Sequence, residues 1–208
     1  MSQSLLSLTL KRSFSVKNRM IQKLEYILKT ENKTPVWINV AFFHGLWLIC
    51  VQANDLLALA ALAIYLLIHQ LLFVRKNKEW IVIVAFTLVG IILDGVQLNI
   101  PLIQFSGAIS INVAPEILIP PIWLICLWVG FATTLAHGFR FFLNNIRLAV
   151  AATLVAVPFS YMVGTLMSGS ELVMPIIALL VEGLGWAIIF PVGLILTDKL
   201  LKPVQKGL

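Results

Sequence analysis

Six apolar runs, at roughly 36–53, 55–74, 80–98, 119–138, 148–167 and 172–196, divide this chain of 208 residues. Each is close to the ~20 residues that a helix needs to cross ~30 Å of hydrocarbon. Lipid offers no partner to an open N–H or C=O, so such runs must be helical. Composition agrees. Hydrophobic residues make up 60% of the chain and charged residues 12%, against about 45–50% and about 25% in soluble domains. The expected fold class is all-α, a polytopic membrane protein built as a six-helix transmembrane bundle. A basic amphipathic segment, 1–34, precedes the six-span domain, 35–198, and a short basic tail, 199–208, follows it.

The lysines and arginines orient this bundle. Seven precede the first run, from Lys11 to Lys33. Arg75, Lys76 and Lys78 follow the second, Arg140 and Arg147 flank the connection between the fourth and fifth, and Lys199, Lys202 and Lys206 follow the sixth. The other three connections carry only Asp55, Glu116 and Glu171. Basic loops stay in the cytoplasm, so both termini are expected there, with every basic residue on one side. The net charge of +6 then reads as contact with an anionic cytoplasmic leaflet. No nucleic-acid partner is expected.

Met20, Ile21, Leu24, Ile27 and Leu28 share one helical face, which suits a helix lying on the cytoplasmic surface. The alternative is a targeting peptide, since the first 24 residues hold no acid. The connection 99–118 is itself rather apolar, so an interfacial or re-entrant course is expected. Cys50 and Cys126 lie inside runs and read as packing residues.

Lipid tails are as apolar as leucine, so close packing of small residues must hold the helices together. Ala152, Ala156, Ser160, Gly164 and Ser168 form one four-residue stripe, and Gly130, Thr134 and Gly138 form another. Both are candidate contact faces, with each other as one pairing.

Two acids stand inside apolar runs. Asp94 lies roughly 20 Å from the start of the third, and Glu182 about 15 Å from the start of the sixth, at 1.5 Å rise per residue. A charge mid-span costs about 2.5–3.5 kcal/mol on insertion scales, so such residues face the bundle interior. Thr87, Gly90, Asp94, Gln97 and Pro101 follow one face, and each acid is followed by glycine. Interhelical hydrogen bonding and a polar ligand pocket both account for this. His44, His69 and His137 occupy three different runs. Each reads as a buried or interfacial ring. No H-x-x-x-H or H-E-x-x-H pairing supports a metal site, and no nucleophile elbow, phosphate loop or dinucleotide fingerprint is present. No catalytic residue, metal or cofactor is therefore expected. The candidate pocket gathers Asp94, Gln97, Glu182, Tyr161, Thr134, His44 and His137.

Gly90-x-x-x-Asp94 is followed by Pro121-x-Trp123, by Leu127-Trp128-x-x-Phe131-Ala132-Thr133-Thr134-Leu135, and by Pro158-x-Ser160-Tyr161-x-x-Gly164. This combination resembles a family of small bacterial inner-membrane proteins known only as a domain of unknown function. The resemblance covers roughly residues 36 to 190. Val157 stands where the usual family form, G-P-x-S-Y, has glycine. The resemblance implies a multi-pass protein of the bacterial inner membrane and brings no assigned reaction. The occurrence of some members beside membrane-lipid modification genes implies a lipid or envelope-stress role.

Three functions follow as expectations. The leading one is a non-enzymatic membrane protein whose intramembrane polar pocket binds or moves a small molecule or lipid. The alternative is a scaffold or accessory subunit with a membrane-protein partner. The third is an integral membrane enzyme acting on lipid, which requires the histidines to approach one another or a carboxylate.

Overall fold

The computed structural model describes residues 36–202 except positions 53, 75 and 112. The expected interfacial helix before Thr34 and most of the basic tail lie outside the described residues. The described residues hold six helices: α1 (Val36–Gln52), α2 (Asp55–Leu72), α3 (Glu79–Asn99), α4 (Ile122–Thr134), α5 (Ile146–Ser168) and α6 (Pro175–Leu201). They fall on the six apolar runs. Four of them, α2, α3, α5 and α6, are long and apolar enough to cross a membrane, while α1 and α4 are shorter. Large apolar side chains cover the exterior, with Leu56, Val155, Leu166, Ile176 and Ile188 mostly exposed. A soluble protein rarely shows so large an apolar surface, and the pattern is consistent with a membrane protein.

Local chemistry sets the helix ends. Asn54 caps α2 by accepting from Leu57 N at 2.9 Å, and Asn145 caps α5 by accepting from Leu148 N at 3.1 Å. Helix α5 ends at Gly169, whose φ of +69° is left-handed, a conformation glycine adopts without steric cost. The fourth run was expected to span 119–138, but α4 keeps only 13 residues. Pro120 and Pro121 delay its start. At its end Leu135 N bonds the Ala132 carbonyl, and the side chains of Thr133 and Thr134 bond back to the carbonyls of Gly130 and Phe131. Such bonds tighten and close a last turn. A 3-10 turn at Arg140–Asn144 then leads into α5.

Helix α4 is the hub. It is buried around most of its circumference, as expected of a helix apolar on every face. It packs against α1, α2 and α3, while α5 packs mainly on α6. The small-residue stripes do not meet. Gly130 and Gly138 of the α4 segment receive α1, with Leu46 Cδ2 and Asn39 Oδ1 only 2.5 and 2.6 Å from where a Cβ would stand. Gly138 N donates to Asn39 Oδ1 at 3.0 Å. The α5 stripe turns instead toward a gap facing α1. There the nearest atoms to a Cβ on Gly164 are Trp47 Cζ2 and Val51 Cγ1, at 3.7 and 3.9 Å. Pro158 of α5 seats against Gly183 of α6, where a Cβ would lie 3.1 Å from the ring.

The connection 99–118 forms two small antiparallel pairs. In one, β2 (Ile109–Ile111) pairs β3 (Ile117–Ile119), with Ile109 opposite Ile119. In the other, β1 (Ile103–Gln104) pairs β4 (Glu171–Leu172), with Ile103 opposite Leu172. The second pair ties together the α3–α4 and α5–α6 connections. Asn99 grips the hairpin, donating to Leu118 O at 2.7 Å and accepting from Leu118 N at 3.0 Å.

At the other end of the bundle the basic segments converge. Arg140 pairs with Asp198 at 3.0 Å, Lys202 pairs with the same carboxylate at 2.5 Å, and Lys76 donates to the Leu201 carbonyl. All described lysines and arginines are exposed.

Candidate functional site

Helix α3 turns one face inward: Ile83, Phe86, Thr87, Gly90, Asp94 and Gln97 are buried. The face obeys the three-and-four spacing of a helix, which aims Asp94 and Gln97 at α4, α5 and α6. Gly90 makes the next step possible. Without a Cβ, α3 accepts the Trp128 ring of α4 against its backbone. The indole Nε1 of Trp128 then donates to Asp94 Oδ2 at 2.5 Å. From α5, the Tyr161 hydroxyl donates to Asp94 Oδ1 at 2.8 Å. Asp94 thus joins three helices, with no exposed surface of its own.

Glu182 of α6 belongs to the same cluster. Gln97 Nε2 donates to Glu182 Oε1 at 2.5 Å, and Tyr161 neighbours both carboxyls. Trp186, one turn along α6 from Glu182, stacks on Trp128 with ring centroids 4.7 Å apart and planes 14° apart. Glu182 Oε2, Gln97 Oε1, Thr87 Oγ1 and Trp186 Nε1 are buried without a partner among the described residues. No lysine or arginine is buried among the described residues.

Beside this cluster lies a cavity of about 470 Å³ bounded by α1, α4, α5 and Trp186. Its wall is aromatic and aliphatic, with Phe43, Trp47, Trp128, Phe131 and Trp186 prominent. Tyr161, Ser160, Thr165 and His44 are its polar members. The two tryptophans and Tyr161 are shared between the cavity wall and the acid cluster.

The residues expected to form one pocket therefore separate into groups. Asp94, Gln97, Tyr161 and Glu182 come together. Tyr161 and His44 line the cavity, whereas Asp94, Gln97 and Glu182 stand behind its wall. His44 is exposed on α1 and donates Nδ1–H to the Val40 carbonyl at 2.8 Å. Thr134 is buried and spends its hydroxyl on the Phe131 carbonyl, 2.6 Å away.

His137 belongs to a second cluster at the basic end. Its Nε2 lies 2.7 Å from Glu79 Oε1, and His69 Nε2 lies 2.8 Å from the same oxygen. Sequence reasoning missed Glu79 altogether. An acid in the first turn of a helix is an ordinary complement to the helix dipole, and nothing in its spacing announces two histidines. Two of the three histidines thus approach a carboxylate, the arrangement the enzyme reading required.

Comparison with curated proteins and with solved structures finds no match. Asp94, Tyr161, Glu182, His69, Glu79 and His137 all fall within residues 36–192, which match the family described as protein of unknown function (DUF2878), and the chain belongs to that family.

Proposed function

We propose that this chain is a multi-pass protein of the bacterial inner membrane, crossing six times with both termini in the cytoplasm, that holds a lipid in the cavity between α1, α4 and α5. The observation that carries this reading is the wall itself. A cavity of about 470 Å³ is within the range of small-molecule sites, about 300–1,000 Å³. Its aromatic and aliphatic surface favours an apolar chain over a sugar or a nucleotide. Tyr161, Ser160, Thr165 and His44 provide a few polar groups that orient one polar end. The acid cluster behind the wall holds Trp128 and Tyr161 in place. Asp94 then acts as a positioning residue rather than a direct ligand.

The test is to purify the full-length protein in mild detergent and identify bound lipid by native mass spectrometry and extraction. Gly164→Leu and Ala156→Phe place bulk in the cavity from the α5 stripe. The reading expects a defined lipid on the wild type and its loss from both variants, with monodispersity retained. An identical lipid complement on wild type and on both folded variants would sink it.

A further inference from the structure

We propose that His69, Glu79 and His137 form a binding site for a divalent transition-metal ion of the zinc class. The three come from separate elements: the last turn of α2, the first residue of α3 and the turn after α4. Their donor atoms all lie within 4.8 Å of one another. Two imidazole nitrogens and one carboxylate oxygen, with a fourth position open, are a recurrent donor set for zinc. Such an ion holds its tetrahedral donors roughly 3.3 Å apart, at bond lengths of about 2.0–2.1 Å. Both histidine Nε2 atoms already stand 2.7–2.8 Å from Glu79 Oε1. Admitting the ion asks these pairs to part by only about half an ångström to reach the spacing such bonds need.

The surroundings hold the donors ready. His69 lies nearly parallel to Tyr65, with ring planes 6° apart, and stacks on Phe73 at 19°. His137 rests against Phe73 and against His69, with centroids 5.5 and 5.4 Å apart. Rings packed on both sides fix the imidazole planes without further hydrogen bonds; His69 Nδ1 has no other partner among the described residues. Glu79 is buried, and among the described residues its only ion-pair contacts are these two histidines. Buried charges are paired or coordinate metals, and the counter-groups of Glu79 among the described residues, His69 and His137, are good metal ligands. His69 is 1% exposed but His137 is 20% exposed, which leaves a way in for an ion and a face for the open position. None of the three lines the lipid cavity, so this site stands or falls separately from that reading.

The experiment uses full-length protein purified without a polyhistidine tag, stripped with a chelator and dialysed against limiting Zn(II). Elemental analysis reads the bound ion, and Co(II) in its place reports coordination by its ligand-field absorption. The expected result is one ion per chain with a four-coordinate Co(II) spectrum. Glu79→Gln keeps the shape and removes the charge, while His137→Ala removes a partly exposed ligand. Each should weaken binding by ~100-fold or more, since changes to outer-shell partners alone cost about 10–100-fold. His44→Ala, remote from the cluster, should bind as the wild type does. A folded wild type with no ion above background would overturn the proposal and leave a hydrogen-bonded trio. Equal binding by wild type and by whichever of the two variants folds would do the same.

Discussion

The indole of Trp128 lies across Gly90, so close that a Cβ on residue 90 would fall 1.8 Å from Trp128 Cδ2. One turn further along α3, the same indole bonds Asp94. The glycine and the aspartate of Gly90-x-x-x-Asp94 thus serve one contact, with the first admitting the ring and the second receiving its N–H.

Gly90→Ala should therefore displace Trp128 and loosen its bond to Asp94. Overpacking of this kind costs about 1–3 kcal/mol, to be read as a lower midpoint of thermal unfolding in detergent. Gly95→Ala is the matched control on the same helix. Its new Cβ would meet Pro120 Cδ at 3.7 Å, an ordinary contact, so stability should hold or rise. Equal effects of the two substitutions would refute the account of Gly90.

Asp94 receives two donors, one fixed and one adaptable. Trp128 Nε1 can only donate, whereas the Tyr161 hydroxyl can donate or accept. Asp94→Asn can keep its oxygen toward Trp128 and offer its NH₂ to Tyr161, so it should fold with a loss of about 1 kcal/mol or less. Asp94→Leu leaves both groups buried and unpartnered, and a further loss of about 1–3 kcal/mol is expected. Denaturation of both variants in detergent checks the order. If the leucine variant equals the asparagine variant, the hydrogen bonds carry no weight.

Gln97 and Glu182 link α3 to α6 through one bond. A double-mutant cycle with Gln97→Leu and Glu182→Leu should give a coupling on the order of 0.6–1.7 kcal/mol, the measured average and maximum for such bonds between membrane helices. Strict additivity would show that the pair contributes nothing to the joining of the two helices.

The proposed six crossings would put Lys76 and Glu116, both exposed, on opposite sides of the membrane. In a background lacking Cys50 and Cys126, Lys76→Cys should react with an impermeant thiol reagent only from the cytoplasm. Glu116→Cys should react only from the outside. Reaction of both from the same side would exclude the topology.

Much of this arrangement is legible before any coordinates. Apolar length locates all six helices, because lipid permits no other backbone. Helical spacing places Thr87, Gly90, Asp94 and Gln97 on one inward face, as found. The polar cost of a mid-helix acid marks Asp94 and Glu182 as interior. Their partners are a different matter: Trp128 and Tyr161 are 34 and 67 residues from Asp94, and no local pattern connects them. The two-residue strands β1 and β4 are too short to show alternation.

What the chain determines by itself is which faces turn inward, because that depends on periodicity and on the cost of polar groups in lipid. Which inward faces meet is decided by tertiary structure. Gly130 and Gly138 read as a close-contact face, with the α5 stripe as one pairing; they are such a face but receive α1, since α4 sits at the centre and α5 packs on α6 around Pro158 and Gly183. The α5 stripe is left facing a cavity. Glu79, which no spacing in the sequence singles out, becomes the meeting point of His69 and His137, because the ends of α2, α3 and α4 come together at the basic end of the bundle. Spacing along one helix constrains that helix alone; where three helix ends meet depends on how the side chains between them fill space.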